Sequence, residues 1–443
     1  MRFNTVNEWL DWQESLHPSE IDLGLERVDK VLKQLIGNYY NLELNQFDLP
    51  FLLITIGGTN GKGSSVAYLS QILIEAGYVV GTYTSPHFLQ YNERIKINGE
   101  MISDHSLCEQ FEAVDKARER NSLSYFEFGT LAAIHYFVQS KCKIVILEVG
   151  LGGRLDAVNA LSADCSLITT VDLDHQSWLG DNVEVIGYEK AGIYRTGRPA
   201  VFGDENIPKS VIRYAKQIQS DLYQYLNDYY YLKQDNQWSW FNRKGKAIFK
   251  NLPLPRGDED IQIKNISSIL MVIYSLTDKL DRVSTENIVD GINHTEITGR
   301  LQTLHQQPVV IADVAHNPQS VKVLKNYLKK KTDLRNIAIF SMLADKDIEE
   351  VIHIITSSFE EWHLYTLDSQ RAAGVDLIAD LLSKENQRNN MRNINVSCYN
   401  SFFEAYQSIL QQMSSTDIKT SRIIVFGSFL TVSDALSYFH ESA

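Results

Sequence analysis

A glycine-rich stretch with a single lysine, I-G-G-T-N-G-K-G-S-S at residues 56–65, carries the clearest chemical signal in the chain. The usual phosphate-binding loop has Gly, four residues, then Gly-Lys-Ser/Thr. This stretch departs from that pattern, because Ile56 stands five places before Gly61, and Gly63 follows Lys62. Its chemistry still suits an anion, since glycines let backbone N–H groups turn inward and a lysine can reach a terminal phosphate. The alternative is a glycine-rich turn with a surface lysine.

Three further side chains could do chemistry at the ends of predicted elements. Glu148 ends an apolar run just before a glycine-rich turn, where a carboxylate is costly unless it is paired or binds a metal. Asp313 ends another apolar run, at the end of the strand where parallel sheets bind ligands. Lys190 falls in a predicted helix, where the alternatives to function are a surface position or an i,i+4 ion pair.

The elements that must position these residues alternate between strand and helix along the first part of the chain. Apolar spacing predicts helices at 25–36, 66–76 and 125–138. Short apolar runs predict strands at 51–56, 78–83, 144–149 and 165–171. The loop at 56–65 thus lies between a strand and a helix, so the positive end of the helix dipole faces any anion bound there. Such alternation predicts an α/β fold with a mostly parallel sheet.

A second α/β segment begins near Arg300. Its predicted strands lie at 309–313, 336–341, 362–366 and 423–427. The stretch 222–250 is rich in Tyr and Trp and predicts a small antiparallel patch, while 291–299 is the best candidate for a linker. We therefore expect two domains, 1–296 and 297–443.

Composition excludes several classes of function. The chain has 443 residues and a net charge of −13, which argues against a nucleic-acid binder. The four cysteines are scattered without C-x-x-C spacing, which is typical of a reduced, cytoplasmic protein without a zinc site. The N-terminus does not resemble a signal peptide, and no apolar run is long enough to span a membrane. Without an interface signal, the default expectation is a monomer.

Motifs spread over nearly the whole chain resemble the Mur ligase superfamily, and more closely its folylpolyglutamate synthase branch. They are G-T-N-G-K-G-S at 58–64, Y-T-S-P-H-F-L-Q-Y-N-E-R-I-K-I-N-G at 83–99, F-E-F-G-T at 126–130, L-E-V-G-L-G-G-R-L-D-A at 147–157, L-D-H at 173–175, E-K-A-G-I at 189–193, G-R at 299–300, D-V-A-H-N-P at 313–318 and F-G-S-F-L-T-V at 426–432. The resemblance implies a Mur-ligase-like fold: an N-terminal P-loop ATPase domain that also binds the pterin or folate, and a smaller, Rossmann-like glutamate ligase domain.

The activity that the resemblance implies is ATP-dependent amide formation. A carboxylate takes the γ-phosphoryl group of ATP, and an amine attacks the resulting acyl phosphate. Such a transfer depends on positioning and on neutralising phosphate charge. The implied cofactors are ATP and Mg²⁺ at two sites, together with N6-carboxylysine at Lys190, formed from carbon dioxide by a neutral amine.

The same resemblance carries site residues onto this sequence. The implied ATP contacts are Gly58, Thr59, Asn60, Gly61, Lys62, Gly63, Ser64, Asn265, Arg300 and Asp313. The implied metal ligands are Ser85, Glu148 and His175, and the implied catalytic residues are Lys62, Lys190 and His316.

The stretch L-H-P-S-E-I-D-L-G-L-E-R-V at 16–28 resembles the pterin-binding loop of the bifunctional bacterial branch, which acts on dihydropteroate as well as on reduced folates. The residues implied for that pocket are His17, Ser19, Ile21, Asp22, Leu23, Ser124, Phe126 and Asp156. A carboxylate such as Asp156 suits the N–H edge of a pterin. The alternative for 16–24 is a plain loop, with Asp22 as the N-cap of the next helix.

Three other functions remain open at this stage. A folylpolyglutamate synthase without the dihydropteroate activity would share every phosphate motif. A cell-wall ligase would share the loop, but the 16–28 stretch and the two-domain length argue against it. A non-catalytic nucleotide switch would not need Glu148, His175 and Lys190 together.

Overall fold

The computed structural model describes residues 1–17, 22–43, 46–174, 176–257, 259–330, 334–388 and 394–441. The sequence predictions for Ser19, Ile21 and His175 therefore lie outside the described residues. The chain divides into two compact units, Met1–Glu296 and Ile297–Ala443.

The first unit is built from α-helices, β-strands and short 3₁₀ turns. Its helices are α1 (Val6–Leu16), α2 (Glu26–Ile36), α3 (Lys62–Glu75), α4 (Asp104–Arg118), α5 (Tyr125–Gln139), α6 (Gln176–Leu179), α7 (Val183–Ala191), α8 (Lys209–Gln217), α9 (Glu259–Ser275) and α10 (Thr285–His294). Its strands are β1 (Tyr40–Asn41), β2 (Gln46–Phe47), β3 (Leu52–Gly57), β4 (Val80–Tyr83), β5 (Ile95–Ile97), β6 (Glu100–Met101), β7 (Ile144–Glu148), β8 (Cys165–Ile168), β9 (Pro199–Phe202), β10 (Asp221–Gln224), β11 (Tyr229–Gln234), β12 (Gln237–Asn242) and β13 (Ala247–Pro253).

The central sheet of this unit has the strand order β10-β9-β8-β3-β7-β4-β5-β6. Its strands are parallel from β10 to β4, whereas β5 and β6 add an antiparallel edge. The apolar runs of β3, β7 and β8 are buried at the centre of the sheet, as the sequence predicts. The predicted mostly parallel α/β fold is confirmed.

Two predictions for the first unit need correction. The patch predicted at 222–250 is antiparallel only from β11 to β13, because Asp221–Gln224 joins the central sheet as its parallel edge strand β10. The linker predicted at 291–299 begins inside α10, where Gly291 faces α3. A Cβ on Gly291 would lie 2.5 Å from Ile72 Cγ1, so close helix packing explains this glycine.

A cluster of ion pairs ties the amino ends of the parallel strands together. Asp164, just before β8, accepts a hydrogen bond from Leu53 N of β3 at 2.9 Å. The same carboxylate pairs with Arg198, just before β9, and with Lys279 at 2.7 Å. This amino-end cluster lies where the parallel strands begin, whereas the glycine-rich loop lies where they end.

The second unit is a smaller α/β layer structure. Its helices are α11 (Pro318–Lys330), α12 (Ile348–Ile355), α13 (Val375–Arg388), α14 (Phe402–Gln412), α15 (Asp417–Thr420) and α16 (Phe429–Glu441). Its strands are β14 (Gln302–Gln306), β15 (Val309–Asp313), β16 (Arg335–Phe340), β17 (Glu361–Tyr365), β18 (Asn395–Tyr399) and β19 (Ser421–Phe426).

The sheet of the second unit has the order β14-β15-β19-β16-β17-β18, with β14 antiparallel and the others parallel. Successive residues of β16 face two different apolar clusters: Ala338 and Phe340 face one, and Ile337 and Ile339 face the other. The sheet is therefore covered on both faces, as expected of parallel strands. Among the residues that the structure describes, no helix combines the length and apolar character needed to cross a membrane.

Candidate active site

The glycine-rich loop connects the end of β3 to the start of α3, as the sequence predicts. Gly58 and Gly61 adopt φ values of 144° and 86°, which L-residues with a side chain rarely adopt. A Cβ on Gly58 would lie 1.9 Å from Thr169 Oγ1. The loop therefore needs glycine for its backbone conformation as well as for its packing.

The segment that follows β8 holds the loop in shape. Thr59 N donates to Thr170 O at 2.9 Å, and Asn60 N donates to Thr170 Oγ1 at 3.0 Å. Thr169 Oγ1 donates to Asn60 O at 2.6 Å. These threonines are a feature that sequence reasoning missed, because nothing in a T-T dipeptide indicates which loop it supports.

A pocket at the carboxyl ends of β3, β7 and β8 gathers several of the predicted residues. It is lined by Gly58, Thr59, Lys62, Val149, Gly150, Leu151, Gly152, Asp174, Leu179 and Lys190. The Lys62 ammonium group donates to the carbonyl oxygens of Gly58 at 3.0 Å and Thr59 at 3.4 Å. The loop lysine thus lies over its own loop, in the same pocket as Lys190.

Asn265, on α9, lies beside this loop. A Cβ on Gly61 would be 2.7 Å from Asn265 Oδ1, so the amide and the loop backbone are in close contact. Ser64 is on the first turn of α3 and is buried. Both residues therefore lie in or next to the loop region to which the sequence assigned them.

Glu148 and Ser85 lie side by side where β7 ends. Ser85 N is 3.4 Å from Glu148 Oε2, and the carboxyl group is buried. A Cβ on Gly63 would be 3.8 Å from the same oxygen, so the pair faces the first turn of α3. A carboxylate and a hydroxyl are oxygen ligands of the type that Mg²⁺ prefers. Within the described residues no group of three His, Cys, Asp or Glu side chains could hold a metal, and His175 lies outside them.

Lys190 is buried near the C-terminal end of α7. Burial, together with the nearby charge of Lys62, lowers the pKa of the Lys190 amine to about 7, although Asp174 and Asp156 act in the opposite direction. A substantial fraction of this amine is therefore neutral near pH 7, which is the form that reacts with carbon dioxide.

Asp156 and Phe126 lie near the same turn as Gly150. Burial raises the pKa of Asp156 to about 6, against hydrogen bonds that its carboxylate accepts from Leu151 N at 2.8 Å and Val158 N at 3.0 Å. A Cβ on Gly150 would lie 2.7 Å from Phe126 Cζ, so the ring covers this turn. The structure therefore brings Asp156 and Phe126 to the same short turn, at Gly150 and Leu151.

Ser124 has a clear structural role as the N-cap of α5. Its Oγ accepts from Glu127 N at 3.3 Å, and Ser124 N donates to Glu127 Oε2 at 2.7 Å. This is a capping box, which stabilises the start of a helix.

His17 and Asp22 contact each other across the undescribed residues 18–21. His17 Nε2 lies 2.9 Å from Asp22 Oδ2, and Arg27 Nη1 is 2.8 Å from the same oxygen. Asp22 is not the N-cap of α2; that position belongs to Leu25, which makes no side-chain cap. The N-cap alternative is wrong because Arg27 and His17 hold the Asp22 carboxylate instead. Leu23 is partly buried.

In the second unit Arg300, Asp313 and His316 converge around the end of β15. Asp313 accepts hydrogen bonds from Leu301 N and Ala315 N, each at 2.9 Å. Burial raises the pKa of Asp313, while the charges of Arg300 and His316 oppose that shift. The Phe429 ring lies 5.6 Å from the Arg300 guanidinium carbon and 6.0 Å from the His316 ring. Sequence reasoning gave Phe429 no role, although it lies within the motif at 426–432.

Asn317 caps the start of α11. Its Oδ1 accepts from Ser320 N at 2.9 Å, and Pro318 is the first residue of the helix.

Comparisons with known proteins agree with this arrangement. Residues 299–429 match the family described as Mur ligase, glutamate ligase domain. The chain is similar to the dihydrofolate synthase/folylpolyglutamate synthase of Haemophilus influenzae, at 34% identity over 96% of each chain. It is also similar to the protein of the same name from Escherichia coli, at 35% identity over 97% of this chain and 94% of the other.

The chain is also similar to solved structures of enzymes from this group. The chain resembles Escherichia coli FolC in complex with DHPP and ADP, with a TM-score of 0.88 and 33% identity over 99% of this chain and 98% of that one. It also resembles the bifunctional folylpolyglutamate synthase/dihydrofolate synthase of Yersinia pestis complexed with AMPPNP and Mn ion, with a TM-score of 0.87 and 34% identity over 99% and 98%.

Proposed function

This chain belongs to the dihydrofolate synthase/folylpolyglutamate synthase family of Mur ligases, and from that premise we propose how its residues carry out the reaction. The chain is an ATP-dependent ligase that joins glutamate to folates. Its acceptors are dihydropteroate, which becomes dihydrofolate, and reduced folates, which become polyglutamates.

The reaction proceeds in two steps. An oxygen of the acceptor carboxylate attacks the γ-phosphorus of ATP, and ADP leaves. The amine of L-glutamate then attacks the acyl carbon, loses a proton, and displaces inorganic phosphate. Both steps require phosphate charge to be stabilised and the reactants to be held in place.

Residues 58–64 supply the phosphate contacts through backbone N–H groups and the Lys62 ammonium. The support is the φ values of Gly58 and Gly61, the contacts with Thr169 and Thr170, and the position of the loop before α3. Asn265 contacts the nucleotide from α9.

Ser85 and Glu148 would hold one Mg²⁺ ion, and His175 would hold a second. Bound there, magnesium would neutralise charge on the phosphates. The support is the adjacent, buried position of Glu148 beside Ser85 and Gly63, and the Mn ion in a related structure.

Lys190 acts as N6-carboxylysine, an anion formed when its neutral amine attacks carbon dioxide and releases a proton. The low pKa of the buried amine favours that reaction. Carboxylation would replace the Lys190 ammonium, a buried cation near Lys62, by a carbamate anion that attracts the Lys62 ammonium.

Dihydropteroate and the folates bind near Asp156 and Phe126. Ser124, Leu23, His17, Asp22 and the undescribed Ser19 and Ile21 complete this acceptor site. The support is the position of the Phe126 ring on the turn that also lines the pocket, and the DHPP bound to a relative.

Arg300 and Asp313 of the second unit bind ATP, His316 acts as a catalytic residue, and that unit acts as the glutamate ligase domain. The protein works as a cytoplasmic monomer on small molecules, without nucleic acid or membrane. The four cysteines are free thiols.

The observation that best supports the mechanism is that Lys62, Lys190 and the turn at 150–152 line the same pocket. The test measures phosphate release from ATP with Mg²⁺ and glutamate, in one reaction with dihydropteroate and another with a reduced monoglutamyl folate. We expect release in both reactions and one added glutamate by mass spectrometry.

The runner-up is a folylpolyglutamate synthase without the dihydropteroate activity. Folylpolyglutamate synthase of Lacticaseibacillus casei is a relative at 29% identity. Release with the folate alone would establish that narrower activity and contradict the acceptor role assigned to residues 16–28.

A further inference from the structure

Two separate segments contribute walls to the pocket that contains Lys62. One wall is the turn after β7, with Gly150, Leu151 and Gly152. The other includes Lys190, from the last turn of α7. The position of Lys190 therefore depends on how α7 is attached to this turn.

Arg154 and Glu189 join the two walls on the outer side. Arg154 Nη2 donates to Glu189 Oε1 at 2.9 Å, with Nε at 3.3 Å from the same oxygen. Arg154 N also donates to Glu189 O at 2.8 Å. The guanidinium carbon lies 5.8 Å from the centre of the Tyr188 ring, so Arg154 contacts two consecutive side chains of α7.

The backbones at this junction are in close contact. A Cβ on Gly153 would be 2.9 Å from Glu189 O, and one on Gly192 would be 2.3 Å from Arg154 Cβ. The buried Asn159 donates to Arg154 O at 3.0 Å and to Gly192 O at 3.1 Å. The turn and the end of α7 therefore behave as one packed piece, to which Arg154–Glu189 adds the side-chain contact.

The other end of α7 is attached to α8. The Glu184 carboxylate accepts from Lys209 N at 3.0 Å and from Ser210 N at 2.6 Å. Glu189 and Lys190 are neighbours, so any rotation of the helix about its axis moves both. A rotation of about 10° displaces the end of a lysine side chain by roughly 1 Å, and a misplacement of about 1 Å can cost about 100-fold in rate.

We propose that Arg154 and Glu189 are a positioning pair, which fixes the axial rotation of α7 and so holds the Lys190 amine in the pocket that it shares with the glycine-rich loop. The inference rests on the proposed role of Lys190 in the reaction. Neither residue touches the reacting groups in this account; both act through Lys190.

The test compares R154Q and E189Q with the wild-type protein in two measurements. The first is the pH midpoint for labelling of Lys190 by an amine-reactive reagent, followed by mass spectrometry in the absence of substrates. The second is the kcat and the KM for ATP of the ligase reaction. We expect the labelling midpoint to rise by about one pH unit, and kcat to fall about 10-fold or more with little change in KM.

R2Q is the matched control. The Arg2–Asp115 pair has a similar length, 2.8 Å, and similar exposure, with 47% and 11% of the two side chains exposed against 38% and 20% for Arg154 and Glu189. R2Q should leave the labelling midpoint and kcat at their wild-type values. If R154Q does not fold, as judged by thermal unfolding, R154K and E189D keep the charges and test the geometry alone.

The outcomes separate the inference from the proposed function. An unchanged labelling midpoint in both variants overturns the positioning role, whatever happens to kcat. A shifted midpoint with wild-type kcat supports the positioning role and contradicts the part proposed for Lys190 in the reaction. A shift in both quantities supports both.

Discussion

Lys62 and Lys190 place two basic groups in one pocket. We expect each to affect turnover in a different way. The Lys62 ammonium lies over the loop carbonyls, whereas the Lys190 amine is buried and has a lowered pKa. The Lys62 ammonium would neutralise charge on a bound phosphate, and the Lys190 amine would be the site of carbamate formation.

Replacement of Lys62 by alanine should abolish most of the turnover without unfolding the protein. Loss of one group that stabilises transition-state charge commonly costs about 10²–10³ in kcat. Steady-state phosphate release and circular dichroism measure the two effects. K62R is the companion variant, which keeps the charge but not the shape. Near-wild-type kcat in a folded K62A protein would contradict the phosphate-loop assignment.

The pH dependence of turnover should report the Lys190 amine. Its pKa of about 7 means that the reactive, neutral form is lost as the pH falls below about 7. At a fixed concentration of dissolved carbon dioxide we expect kcat to decline on the acid side. More carbon dioxide should move that decline to lower pH, because carbamate formation removes neutral amine and draws more of it from the protonated form.

The measurement is kcat from about pH 6 to about pH 9 at two concentrations of carbon dioxide. K190R cannot form the carbamate, so its activity should be low and independent of carbon dioxide. An acid limb that does not respond to carbon dioxide in the wild-type protein would rule out the modification.

At the scale of the elements, the shape of the loop between β3 and α3 depends on contacts with the segment after β8. Gly58 is the point of closest approach, with Thr169 as its neighbour. The loop conformation is therefore a property of two segments more than 100 residues apart in the chain, and its glycines serve packing as much as flexibility.

G58A should remove activity through this contact. The new methyl group would overlap Thr169 Oγ1 in a conformation with φ of 144°, so the loop must move. We expect a loss in kcat/KM for ATP of about 100-fold or more. G99A is the control, because Gly99 also has positive φ, 82°, but a Cβ there meets nothing within 4 Å. Equal effects of the two variants would mean that backbone strain alone, and not the phosphate loop, explains the loss.

Most of the apolar central strands were predictable from the sequence, although the buried strand β9 (P-A-V-F) was missed, and the polar edge strands β14 and β18 were not predicted. The run at 309–313 coincides with β15, and the runs at 51–56 and 144–149 fall within one residue of β3 and β7. The strands β14 (Q-T-L-H-Q) and β18 (N-V-S-C-Y) were missed because an edge strand has one open side and carries polar residues. A central strand is recognisable in the sequence because it is buried and therefore apolar, whereas an edge strand is partly exposed and carries polar residues.

Some residues of the candidate site were likewise predictable from the sequence, and others were not. The loop, Glu148 and Asp313 were candidates because each places an unusual residue type at the end of a strand, whereas Lys190 was a candidate only through the family resemblance. The supporting contacts of Thr169, Arg154 and Phe429 were not predictable. Their partners lie far away in the chain, and a threonine, an arginine or a phenylalanine is ordinary in a sequence.

At the scale of the whole molecule, each unit has apolar cores of its own. Because these cores consist of buried apolar side chains, we expect the fold to be stable without metal, while the proposed chemistry needs Mg²⁺.

Metal removal should thus separate activity from stability. We expect a chelator to stop phosphate release completely while leaving the thermal unfolding midpoint unchanged, and added Mg²⁺ or Mn²⁺ to restore turnover. Calorimetry with and without the chelator checks the second part. A large drop in the unfolding midpoint would show that a metal holds the fold together.

The amino-end cluster around Asp164 has a practical meaning for protein engineering. The same strands carry ion pairs at one edge of the sheet and the candidate catalytic groups at the other, with several buried residues between them. Thermostabilising substitutions near Asp164, Arg198 and Lys279 can therefore be screened with little risk to turnover.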